Sequence, residues 1–116
     1  MKKQTYGLLA VLALGHGLND FIAGLLLART AGSVSALWDV SLFTLYSIIA
    51  FGGQVPLALL IEKKARYRNW TLAGFALMAA ALFIHSWDNV TAILISGIAS
   101  AIYHVAGGAL SIRIPE

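Results

Sequence analysis

His16, Asn19 and Asp20 are the residues of this chain best suited to chemistry, and they sit in the middle of an oily run from Tyr6 to Ala28. On a helix they fall at i, i+3 and i+4 and share an arc of roughly 100°. A run of this length can span a bilayer core of roughly 30 Å at about 1.5 Å per residue. An ionisable group near the centre of that core costs about 2.5–3.5 kcal/mol on insertion scales. The stripe must therefore face protein or water, as a pathway or binding site would. Imidazole titrates near neutral pH, and a carboxylate withdrawn from water moves up toward the same range. His16 and Asp20 together suit a proton carrier coupled to substrate movement. A hydrogen-bonded structural pair is a second reading. A metal ion with His104 as third ligand is a third, but His-x-x-x-Asp is a weak metal pattern and no metal or other cofactor is expected.

Span four repeats the logic. Ser96, Gly97, Ser100, Tyr103, His104, Gly107, Gly108 and Ser111 project onto one side of a helix, and Ile95, Ile98, Ile102 and Val105 onto the other. The Gly and Ser positions read as a helix-packing seam, because small residues let backbones approach. Packing alone does not call for an imidazole, so His104 joins the candidate pathway, with a carbonyl-bonded buried histidine as its alternative. In span two, Thr44, Ser47 and Gln54 share a face beside Tyr46, and Gly52, Gly53 and Pro56 weaken the helix. That segment is either a structural bend or a flexible cavity lining. Span three, with Gly74 and a run of alanines, reads as a lipid-facing or scaffold helix.

The elements that position these residues follow from composition. Hydrophobic residues are 59% of the 116-residue chain and charged residues only 11%. Soluble domains carry about twice that charge fraction, so the chain is expected to be an all-α membrane protein. Four spans are marked, at about 6–28, 40–61, 70–86 and 90–112, in a single unit without a second domain. Gly32, Ser33 and Ser35 suit a loop, and Trp38, Trp70 and Trp87 all fall at span ends, at headgroup level. With no cysteine there is neither a disulfide nor a thiolate metal site.

Lys2, Lys3, Lys63, Lys64, Arg66, Arg68 and Arg113 fall on one side of this arrangement and Arg29 on the other. The positive-inside rule then puts both termini and the Glu62–Asn69 loop in the cytoplasm. The net charge of +3 is explained by this topology, and the lipid bilayer rather than nucleic acid is the expected partner. Lys2-Lys3 before an apolar run has the form of a secretory leader. The run is longer than an h-region of about 7–15 residues, however, and carries polar groups, so an uncleaved span is expected.

Three stretches carry a family likeness: His16-Gly17-Leu18-Asn19-Asp20; Tyr46, Gln54 and Glu62 at eight-residue intervals; and Tyr103-His104 followed by small residues and Arg113. With them, the chain resembles the first four helices of a major facilitator superfamily transporter, most closely the fosmidomycin-resistance-like drug exporters. Residues 58–66 resemble that superfamily's signature loop, with Ala58 and Ala65 in place of glycines and Glu62 in place of aspartate. Val105 stands where the exporters have proline. The resemblance implies proton-coupled efflux of a small molecule in a bacterial plasma membrane. Its pathway would run along His16, Asn19, Asp20, Tyr46, Gln54, Ser100, Tyr103 and His104, and its cytoplasmic latch would use Glu62, Lys63 and Arg66. Such transporters have about twelve helices in three-helix repeats. Four helices ending at Pro115-Glu116 are therefore expected to need missing C-terminal helices or a homo-oligomer. A short four-helix multidrug transporter and a non-transporting accessory subunit are the alternatives. No enzyme is expected, since no nucleophile sits beside a usable base.

Overall fold

In the computed structural model the chain is helical throughout, and the structure describes residues 2–32 and 35–113. Ser33 and Pro115-Glu116 lie outside these residues, as do the side chains of Lys2 and Lys3. Helix α1 runs Lys2–Thr30, α2 Ala36–Ser47, α3 Gln54–Lys64, α4 Tyr67–Ile84 and α5 Asn89–Ile112. A wider π-helical turn, Ile48–Gly52, joins α2 to α3. The stretches 4–30, 36–64 and 89–112 are long and apolar enough to cross a membrane, and the chain is a multi-pass integral membrane protein. The charged 62–69 segment is mostly helix ends, with only Ala65 and Arg66 between α3 and α4.

Local chemistry sets the boundaries. Ser35 caps α2 by accepting from the Trp38 N–H at 3.2 Å. Asp88 caps α5 through the Val90 N–H at 3.0 Å and the Thr91 hydroxyl. Ala65 closes α3 in the left-handed conformation at φ 49°, returning its N–H to the Ile61 carbonyl at 2.9 Å. That geometry suits glycine, and alanine holds it at a cost of about 1 kcal/mol. In span two the π-turn ends at Gly52 and Gly53, two of the residues expected to weaken the helix. A Cβ on Gly53 would lie 2.4 Å from the Ile49 carbonyl oxygen, so only glycine fits there.

Helix α5 occupies the centre, packed against every other helix. On the apolar side of span four Ile102 is buried and Ile98 exposed, and Ile93, on the opposite side, is buried as well. Polar and apolar positions alike are buried around most of its circumference, so α5 is the core helix. Against it, α4 lays the stripe Tyr67, Thr71, Gly74, Met78 and Ala81, all buried. Backbones touch at Gly74, where a Cβ would come within 3.1 Å of the Tyr103 nitrogen and 3.2 Å of the Ala99 oxygen. Helix α4 is thus a scaffold on one face, while Leu72 and Phe83 on its other faces are exposed.

Candidate functional site

The polar stripe of α1 meets the polar face of α5 near the middle of both helices. Asn19 is fully buried, and its amide nitrogen reaches the Ser100 hydroxyl at 3.4 Å and the Asp20 carboxylate at 3.5 Å. The Asp20 carboxylate lies between two imidazoles, 3.3 Å from His16 Nε2 and 3.6 Å from His104 Nε2. The two rings are 4.6 Å apart, nearly edge to face. From α2, Tyr46 reaches the Ser100 side chain.

His104 is held in one tautomer. Its Nδ1 is 2.7 Å from the Ser100 carbonyl oxygen, which can only accept, so the hydrogen sits on Nδ1. In the neutral ring Nε2 then carries a lone pair aimed at a carboxylate oxygen. Two acceptors face one another there, an arrangement relieved by a proton or another cation between them. The buried Asn19 Oδ1 is a further acceptor without a hydrogen-bond partner among the described residues.

Tyr103 holds the two helices in register. Its hydroxyl donates to the Leu12 carbonyl at 2.9 Å, and Phe75 of α4 meets its ring edge-on with centroids 4.8 Å apart. Gly15 makes the room: a Cβ there would sit 2.5 Å from the Tyr103 hydroxyl and 2.8 Å from Phe75. Beside this junction a cleft of about 430 Å³, bounded by Leu12, Ala13, His16, Tyr103, His104 and Gly107 among others, runs between α1 and α5. His16 and Asp20 are each about half exposed, at 51% and 50%, whereas His104 is 22% exposed. The described helices therefore cover the Asn19 and Ser100 side of the site and leave the α1 side open.

His16, Asn19, Asp20, Tyr46, Ser100, Tyr103 and His104 thus lie near one another in the structure. Gln54 lies elsewhere: its amide donates to the Ala50 carbonyl at 3.0 Å and braces the π-turn. Thr44 and Ser47 bond carbonyls of their own helix at 2.8 and 2.9 Å. Phe75 was missed because an aromatic in an apolar helix carries no signal of what it touches.

A second cluster forms at the far end of α5. Glu62 accepts from Tyr67 at 2.6 Å and from Arg113 at 2.8 and 3.1 Å, and the Arg113 guanidinium lies 4.5 Å above the Tyr67 ring. The Tyr67 hydroxyl, and then Arg113, hold the Glu62 carboxyl below its ordinary value of 4.5; the same bond raises the Tyr67 hydroxyl above 10.0. Lys63 and Arg66, the basic residues named for a latch, are exposed, and the cation in this cluster is Arg113. No family model, no curated protein and no solved structure matches the chain.

Proposed function

We propose that the chain is part of a secondary transporter, with His16, Asp20 and His104 as its proton and substrate station. The observation that carries this reading is the meeting of three ionisable side chains from two apolar helices, at mid-helix and beside a cleft. Such groups are costly in hydrocarbon and suit a pathway. Proton arrival on His104 Nε2 would turn an acceptor–acceptor contact into an ion pair, a change in local attraction able to bias two packings of α1 against α5.

In this reading α4 is a fourth crossing. Its 18 residues span about 27 Å at about 1.5 Å each, and Arg68 and Asn69 in its first turn lie at the membrane surface. Both termini and the Glu62 cluster face the cytoplasm by the positive-inside rule. The likeness to fosmidomycin-resistance-like exporters of the major facilitator superfamily supports small-molecule efflux as the direction of transport. The half-exposed His16 and Asp20 favour cover by further helices, from additional segments or a second copy, because lipid is a poor neighbour for either.

The test is flux in proteoliposomes under an imposed pH gradient, comparing the natural chain with Asp20→Asn. Gradient-driven movement of a lipophilic drug panel that disappears in the variant is expected. Equal flux from both proteins removes Asp20 from the mechanism, and absence of flux from a well-folded assembly removes transport.

A further inference from the structure

The contacts around Asp20 are longer than direct charge-assisted hydrogen bonds, and three metal-ligating side chains meet there. A charge-assisted pair draws nitrogen and oxygen to about 2.7–2.9 Å. Here the separations are 3.3 and 3.6 Å. The first runs to Oδ2 and the second to Oδ1, so each imidazole faces its own oxygen of one carboxylate. Ligand atoms of all three residues lie within 4.8 Å of one another, so modest side-chain motion closes the set.

From this geometry we propose that His16, Asp20 and His104 bind a divalent first-row transition-metal ion of the zinc or cobalt kind. The inference shares three side chains with the transport reading but does not require transport. Its second support is the Ser100 carbonyl, which accepts from His104 Nδ1 at 2.7 Å and leaves Nε2 as the coordinating nitrogen. A histidine ligand commonly has its other nitrogen anchored in this way. Two imidazoles and one carboxylate select late divalent ions over magnesium or calcium, which prefer oxygen. Three protein ligands also leave a fourth position, on the side open to the cleft, for water or a small anionic ligand.

The experiment is a Co²⁺ titration of the full chain in detergent, purified with a tag free of histidine and followed by optical absorption. One Co²⁺ per chain is expected, with the intense bands of four- or five-coordination, displaced by Zn²⁺ and untouched by Mg²⁺. His16→Gln and Asp20→Asn should each weaken binding at least about tenfold. His85→Gln should leave it unchanged, because that ring sits beside Thr30 at the other end of α4. His16→Gln carries the test if His104→Gln loses helical circular dichroism, since the His16 side chain is half exposed. A six-coordinate spectrum, binding no tighter than in the variants, or an equal loss in His85→Gln would overturn the site. Co²⁺ binding without gradient-driven flux removes transport and keeps the ion site; flux without Co²⁺ binding does the reverse.

Discussion

The two polar clusters on α5 use similar groups in opposite ways. Around Glu62 every separation is short, from 2.6 to 3.1 Å, and carboxylate, hydroxyl and guanidinium form a complementary set of acceptor and donors. Around Asp20 the separations are longer, the neutral His104 Nε2 faces a carboxylate oxygen, and the buried Asn19 Oδ1 has no partner among the described residues. A satisfied cluster fixes a chain end in place. An under-satisfied one inside a helix pair costs free energy until something arrives, and so suits a site rather than a brace.

The sharpest way to break that contrast is to remove one cation-forming residue from each cluster. His104→Gln should abolish gradient-driven flux in proteoliposomes, while Arg113→Gln should reduce it far less. Equal losses would erase the distinction between site and brace. A smaller effect is expected at the seam that positions both clusters. Gly74→Leu would force α4 away from the Tyr103 and Ala99 backbone and should lower stability by about 1–3 kcal/mol, measured by denaturant unfolding in micelles. An unchanged midpoint would mean that α4 does not hold α5 as described.

Smaller still are the effects at the Glu62 end. Ala65→Gly releases a left-handed alanine and should gain about 0.5–1 kcal/mol after the added freedom of the unfolded chain is counted. The Glu62 carboxyl is lowered in the folded state, so its contribution is present above 4.5 and fades as pH falls through the lowered value. Asp88, also lowered by its Thr91 and Val90 bonds, fades in the same acid range. The difference in melting temperature between the natural chain and Glu62→Gln isolates the first from the second. That difference should shrink below pH 4.5, and one that persists there assigns the bond a different origin.

Much of the site could be read from spacing alone, because i, i+3, i+4 positions share a face whatever surrounds the helix. The pairing of His16 and Asp20, and the polar face with Ser100 and His104, needed no tertiary information. The all-helical architecture was legible for the same reason, with ends displaced by a few residues where charged ends such as Lys63-Lys64 stay helical. The centrality of α5 was not legible. Whether Ile102 meets lipid or protein cannot be read from its type, because hydrocarbon and protein core select the same side chains. Gln54 misled for a related reason: an amide on a polar face gives no sign that its partner is a carbonyl of its own helix. Arg113 pairing with Glu62 depends on where α5 ends in space, which no local pattern encodes.

The central claim is that the α1–α5 cleft beside His16 and His104 opens to water in the membrane and the remainder of α1 does not. Single cysteines in this cysteine-free chain can report it through a water-soluble methanethiosulfonate reagent in membranes. Ala13→Cys and Ser111→Cys, which line the cleft, should react, whereas Leu14→Cys and Phe21→Cys, exposed on other faces of α1, should stay unlabelled. Labelling of the second pair but not the first would contradict the account.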